Sequence, residues 1–228
     1  MIPVISPQRL RPLGAKPPVT RGFLLMRTNV YVDGFNLYYG ALKGTPYKWL
    51  NLEELCKLLL PNEDIHRIRY FTALVSGRPS DPQAPQRQQI YLRALATLPR
   101  VTVHLGSFMA KTKQRPLVNG NGYVWVHDTE EKGSDVNIAS YLLHDGHRKD
   151  YEQAVVISND SDLRLPIDLT VNDLGIPVGL LNPHKKVAHD LQNIATFYKP
   201  IRKGVLGASQ FAPNLTDLNG AFAKPPSW

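Results

Sequence analysis

Three short stretches, far apart along the chain, hold the residue types that could do chemistry on a phosphate. The first is Asp33-Gly34-Phe35-Asn36, which follows the apolar run Val30-Tyr31-Val32. The second is Glu131-Lys132-Gly133-Ser134-Asp135-Val136-Asn137-Ile138-Ala139, in which an acid, a cation, a glycine and a second acid precede an apolar helical run. The third is Ser158-Asn159-Asp160-Ser161-Asp162, directly after Ala154-Val155-Val156-Ile157. Carboxylates brought within a few ångströms of one another repel, and a like charge raises a pKa sharply. A protein keeps several together where a divalent cation binds or a proton is shared. Oxygen donors without cysteine or an organised set of histidines suit Mg2+ or Mn2+, with waters filling the remaining positions. Such a cation activates water and steadies the charge that develops on a phosphodiester. Around the acids, Lys132 could neutralise a phosphate, Asn36 could bond a phosphate or the attacking water, and Ser158 and Ser161 could position ligands.

Each piece also has a plain structural explanation. Asp33-Gly34 is an ordinary turn, and Asn36 a common cap. Asp135 near a helix start gains from the helix dipole with no metal present. Asp160-Ser161-Asp162 has the look of a capping segment. The three pieces occur in an order that fits one crevice, and that conjunction favours a site.

The elements that must position these residues alternate between strand and helix. Residues 28–33 form a short apolar run ending in an acid, as expected of a buried parallel strand. Gly34 then allows a sharp turn, and a helix runs from about Asn36 to an interruption at Gly44-Thr45-Pro46. Asn51 is the expected N-cap of a helix over 52–60. Strands are expected at 65–75, 101–108, 153–158 and 178–181. Helices are expected around Ile90 to Leu98, over 133–147 and from Asp160 or Ser161 to about Leu174, with a short one at 187–193 and a last short strand at 195–198. In the helix over 133–147, Val136, Ala139, Leu142 and Leu143 read as the core face. The tetrapeptide Asn119-Gly120-Asn121-Gly122 signals a hairpin. The basic segment Lys111-Thr112-Lys113-Gln114-Arg115 lies on its first arm, where Lys111, Lys113 and Arg115 could contact a phosphate backbone. Strands alternating with helices imply an α/β fold with a central, mostly parallel sheet, right-handed crossovers and helices on both faces. The crevice of such a sheet lies at the carboxyl ends of the strands, where the strand order reverses. Asp33 and Asp160 both directly follow strands, so adjacency of those strands would bring them together.

Composition sets the bounds. The 228 residues suit one α/β domain with tails. No apolar run approaches the roughly 20 residues that cross a bilayer. With Cys56 as the sole cysteine, neither a disulfide nor a thiolate zinc site forms within one chain, and a reducing cytoplasm is the expected setting. The net charge of +8 is concentrated, since Arg9, Arg11, Lys16, Arg21 and Arg27 supply +5 of it. Bulk charge is therefore a weak argument for nucleic acid, and local clusters such as Lys111, Lys113 and Arg115 or Lys185-Lys186 count for more.

The three acidic stretches together resemble those of the NYN domain family, PIN-like nucleases, with the LabA-like branch the best match. The likeness runs from about Thr28 to Tyr198. It implies a Rossmann-like, PIN-like sheet, an acidic magnesium or manganese site and ribonuclease activity. On that resemblance Asp33, Asp135 and Asp160 are the metal ligands, Asp162 is a further acid, and Asn36 matches the asparagine after the first strand. Leu163 stands where phenylalanine is expected. Residues 1–27 are then a disordered basic leader, 28–200 the nuclease domain and 201–228 an irregular tail. The expected partner is nucleic acid, RNA first, with no membrane, and a homo-oligomer is open.

The rival classes are weaker. A haloacid-dehalogenase-type phosphatase needs an aspartate two residues beyond its nucleophile, and Phe35 stands there after Asp33. No P-loop occurs, and the glycines around Gly120 do not fit a dinucleotide fingerprint. His144 and His147 flank Asp145 at a helix end, where surface histidines favour the dipole. A module that keeps the acids and binds nucleic acid without cutting it is the alternative from another class.

Overall fold

The computed structural model describes residues 25–118 and 120–228, with the backbone alone at 107–111 and 127–132. The expected leader therefore falls, over residues 1–24, outside the described residues. Strand β1 (Met26–Asp33) leads into a short helix α1 (Gly34–Leu37) that continues as a π-turn over Tyr38–Leu42. Helix α2 (Leu52–Leu59) has Asn51 as its cap, whose Oδ1 accepts from the N–H groups of Glu53 and Glu54 at 2.9 and 3.1 Å. Then follow β2 (Glu63–Ala73), α3 (Ala84–Leu95), β3 (Val101–Pro116), β4 (Tyr123–Lys132), α4 (Ser134–His147) and β5 (Gln153–Ile157). The second half runs through α5 (Arg164–Asn172), β6 (Val178–Asn182), α6 (His189–Ile194), β7 (Phe197–Pro200), α7 (Lys203–Ala208), β8 (Asn214–Asp217) and β9 (Gly220–Ala223).

The main sheet has the order β4-β3-β2-β1-β5-β6-β7. Six strands are parallel, and β4 alone runs antiparallel, paired to β3 as a long hairpin. The chain builds outward from β1 through β2 and β3, then returns through α4 to place β5 on the other side of β1. Strand order therefore reverses between β1 and β5, whose register pairs Val32 with Ile157. The alternation along β1 splits the core in two. Val30 and Val32 face a layer built with α2, α3 and α7, while Tyr31 faces a layer built with α4, α5 and α6. Both layers are closed, and each fully buried Leu, Ile or Val contributes about 1.5–3 kcal/mol.

Three expectations are corrected. The buried side of α4 is Ser134, Ile138, Leu142 and Asp145, whereas Val136 is 68% exposed. Ser134, Ile138 and Leu142 follow one another at a spacing of four residues, and Val136 lies off that line. The segment after Lys203 is not irregular. It forms α7 and the β8–β9 hairpin, and Trp49 gathers it, with ring centroids 5.5 Å from Phe211, 6.5 Å from Phe222 and 6.3 Å from Trp228. Trp49 Nε1 also donates to the carbonyl of Ala212 at 2.8 Å, and Arg93 holds Asp217 with a two-pronged contact at 2.6 and 2.7 Å. Finally, Gly34 does not adopt a left-handed backbone. Its need is space, because a Cβ there would sit 2.6 Å from the Tyr70 ring and 2.7 Å from the carbonyl of Phe71.

One buried polar group ties the strands to α4. Asp145 accepts from Tyr31 Oη at 2.8 Å and from Arg69 Nε and Nη2 at 2.8 and 3.0 Å. Arg69 also lies 4.3 Å over the Tyr141 ring and contacts His104 at 3.1 Å. Breaking one side of such a pair leaves an uncompensated buried charge. Asp145→Ala is therefore expected to lower unfolding free energy by about 3–5 kcal/mol in urea denaturation. Asp145→Asn, which keeps an acceptor, is expected to lose less.

Candidate active site at the β1–β5 crevice

The acids at the strand ends are set by local backbone demands before any chemistry is considered. Asp33 ends β1 and caps α1, its Oδ1 accepting from the N–H of Asn36 at 2.9 Å. Its Oδ2 accepts from Ser158 Oγ, at the end of β5, at 3.0 Å. The same hydroxyl accepts from the N–H of Asp160 at 3.1 Å. One buried oxygen thus links the two strand ends across the reversal point. A second link runs through the asparagines. The N–H of Asn159 donates to Asn36 Oδ1 at 2.9 Å, and Asn159 Oδ1 accepts from the N–H of Ala188 at 2.9 Å. Asp160 in turn caps the 3-10 turn over Ser161–Leu163, with Oδ1 accepting from the N–H of Asp162 at 3.0 Å.

The third acid arrives from α4. Gly133 precedes it with φ of 99°, a left-handed conformation that a side chain strains, although a Cβ there would meet nothing within 4 Å. Ser134 is buried and Asp135 stands in the first turn. Partial desolvation pushes the pKa of Asp135 up, and the charges of Asp160 and then Asp162 push it the same way. Asp135 is exposed as a residue, so the neighbouring charges are the informative cause: α4 delivers its acid into the field of the β5 loop.

The predicted residues therefore divide. Asp135, Asp160 and Asp162 share one electrostatic neighbourhood, and Asp33 joins it through Ser158. Asp33 itself is 4% exposed with a described donor on each oxygen, so it organises the crevice more than it faces a ligand. Ser158 is fully buried between Asp33 and Asp160, which makes it a positioning residue and not a substrate contact. Asn36 keeps its Nδ2 donors without an acceptor among the described residues, because its Oδ1 is held by Asn159. The side chains of Lys111 and Lys132 lie outside the described residues. Lys113 and Arg115 sit on the β3–β4 hairpin, across from Val126 and Val124. By strand alternation they share a face with those valines and not with Thr112. His144 and His147 are exposed, and Asp145 between them belongs to the buried Arg69 pair.

The donor set suits a hard divalent cation. Asp135, Asp160 and Asp162 offer only oxygen, and among the described residues no Lys, Arg or His pairs with any of them. No three described His, Cys, Asp or Glu side chains stand close enough to chelate an ion directly. An ion held there would take one or two of the carboxylates directly and keep several waters, as Mg2+ does. Asn159 is the residue whose part was not foreseen. It was visible directly before Asp160, but its partners Asn36 and Ala188 lie 123 and 29 residues away.

The NYN domain family model matches residues 27–201. A curated relative, the 6-hydroxy-3-succinoylpyridine 3-monooxygenase HspA of Pseudomonas putida (strain DSM 28022 / S16), is 29% identical over 238 residues, covering 89% of this chain and 75% of the relative. A solved structure, a protein of unknown function, VPA0982, from Vibrio parahaemolyticus RIMD 2210633, superposes with a TM-score of 0.54. It covers 78% of this chain and 94% of its own at 16% identity, a likeness of fold alone. Among the described residues no helix is long and apolar enough to cross a membrane.

The raised pKa of Asp135 has a consequence for stability. A carboxyl whose pKa is higher folded than unfolded favours the fold when protonated, and that contribution is lost as pH rises through the folded value. Asp135→Asn is therefore expected to raise the melting temperature of the metal-free protein at neutral pH. The gain should vanish as pH falls below the ordinary aspartate range, when followed by circular dichroism.

Proposed function

Because the chain belongs to the NYN domain family, we propose that it is a divalent-metal-dependent ribonuclease that hydrolyses RNA phosphodiester bonds. The single observation that carries this reading is the acidic neighbourhood in which the charges of Asp160 and Asp162 act on Asp135, beside the joined ends of β1 and β5. One or two of Asp135, Asp160 and Asp162 would hold Mg2+ or Mn2+ directly and the rest through its waters, with Asp33 fixing the crevice through Ser158. The cation, when bound, lowers the pKa of water and neutralises charge on the phosphate. The protein's own groups do the rest. Asp162, exposed beside Asp160, orients the attacking water. Asn36 presents its amide donors to a non-bridging phosphate oxygen, in an orientation set by Asn159. Water oxygen bonds to phosphorus, the bond to the leaving ribose oxygen breaks, and that oxygen takes up a proton, with no covalent intermediate on the protein.

A second reading draws on the Pseudomonas relative, named for oxidation of a pyridine acid. A heteroaromatic acid would be met by the aromatic side chains beside α1, Phe35, Tyr38 and Tyr39, with Lys43 for its carboxylate. The silent nucleic-acid-binding module is the third.

Labelled single-stranded RNA, incubated with the full chain and Mg2+ or Mn2+, separates them. Cleavage that EDTA abolishes and that Asp160→Asn lowers by about 100-fold or more, the scale of losing one electrostatic stabiliser, is the expected result. Retained binding without cleavage in the wild type would favour the silent module. Oxygen uptake with 6-hydroxy-3-succinoylpyridine and a reduced nicotinamide, absent cleavage, would favour the oxygenase.

A further inference from the structure

A long open groove begins where the acidic crevice ends. Gly34 and Phe35, the two residues after Asp33, form part of its wall, and the groove runs between α1 with its π-turn, the loop after β2 and the β3–β4 hairpin at Thr112. Its volume is about 1410 Å³, above the roughly 300–1,000 Å³ of sites that enclose one small molecule. The occupant is therefore an extended one.

The lining has two characters. One is aromatic: Tyr39 is 52% exposed, stacks with Phe35 at 6.5 Å and 17°, and takes Tyr38 edge-on at 5.3 Å. The other is charged: Lys43 and Lys48 pair with no acid among the described residues, while the one lining acid, Asp81, is paired with Arg87. Lys43 Nζ lies 4.7 Å over the Tyr39 ring. A ring with an ammonium on its face offers a planar base a stacking surface and the flanking phosphate a counter-charge.

The hairpin extends this surface. Its register pairs Gln114 with Trp125 and Pro116 with Tyr123. Strand alternation puts Thr112, Gln114 and Pro116 on one face, so Trp125 and Tyr123 share the face of the groove-lining Thr112. Both rings are open to solvent, at 66% and 71% exposure. Tyr123 and Trp125 stand two residues apart on a strand, about 7 Å.

We infer that this groove and the aromatic face of the hairpin form a track for unpaired nucleotides leading to the acids, with bases stacked on Tyr39, Trp125 and Tyr123 and phosphates met by Lys43 and Lys48. The inference rests on the ribonuclease reading for what lies at the track's end. It adds that the substrate is single-stranded there, because the base faces of a duplex are already stacked and cannot reach such rings. An extended peptide would also fit an aromatic groove. Continuity with the carboxylates at Gly34 and the unpaired lysines favour a polyanion whose phosphates a cation could bridge to the acids.

The test measures binding apart from turnover. In an Asp160→Asn background with magnesium, fluorescence anisotropy follows labelled oligouridine, its duplex with oligoadenosine, and a proline-rich peptide. Tyr39→Ala and Trp125→Ala are each expected to weaken oligouridine binding about tenfold, and Trp125→Phe to restore most of it. Saturable quenching of tryptophan emission by oligouridine should shrink in Trp125→Phe without vanishing, since Trp49 is buried while Trp228 lines the groove. Duplex should bind more weakly and ignore both alanine changes. Unchanged oligouridine affinity in both alanine variants, equal use of the rings by duplex, or capture of the peptide alone would overturn the track. The two readings fail separately. Wild-type cleavage with no aromatic dependence removes the track and leaves the nuclease. Aromatic-dependent binding with no wild-type cleavage leaves the track and removes the nuclease.

Discussion

Negative charge held at one rim of the sheet is the constraint that the rest of the structure answers to. Asp135 feels Asp160 and Asp162, and Asp33 lies one hydroxyl away from the same loop. Left to itself such a cluster would spread, because the acids repel in a partly desolvated place. Backbone hydrogen bonds hold it instead. Asp33 and Asp160 are both caps, Ser158 joins them, and Asn36 and Asn159 close the seam from above. Capping groups that double as candidate ligands give a site stiffness without requiring the ion to be present for folding.

Behind the rim, the sheet supplies the rigidity that caps alone cannot. Reversal of strand order between β1 and β5 opens the crevice, and the Arg69–Asp145–Tyr31 group anchors the far end of α4 to β1 and β2. The helix is thereby fixed at both ends, with its first turn aimed at the acids. On the opposite layer, the C-terminal segment wraps Trp49 and contributes Trp228 to the groove wall. That segment follows the span matched by the family model, residues 27–201.

Much of this was legible in the order of residues. Alternating strand and helix patterns announced the parallel sheet, and an acid directly after an apolar strand announced a rim position for Asp33 and Asp160. Asn51 showed itself as a cap and Asn119-Gly120-Asn121-Gly122 as a hairpin. What could not be read was anything that depends on neighbours distant in sequence. Gly34 is explained by Tyr70 and the Phe71 carbonyl, not by its own backbone angle. Val136 fits a helical period yet faces solvent, off the line of Ser134, Ile138 and Leu142. The tail after Lys203 has weak local preference and owes its form to Trp49. Lys113 and Arg115 were legible as cations, but that they share a face with Val126 and Val124, and not with Trp125 and Tyr123, follows only from the register of the long hairpin.

The central claim is that these carboxylates share a divalent cation. Electron paramagnetic resonance of free Mn2+ titrated with the full chain tests it without reference to turnover. The account requires a saturable loss of free-ion signal in the wild type, reversed by excess Mg2+ and strongly reduced by Asp135→Asn or Asp160→Asn. A signal that falls equally in wild type and variants, or does not fall at all, would contradict it.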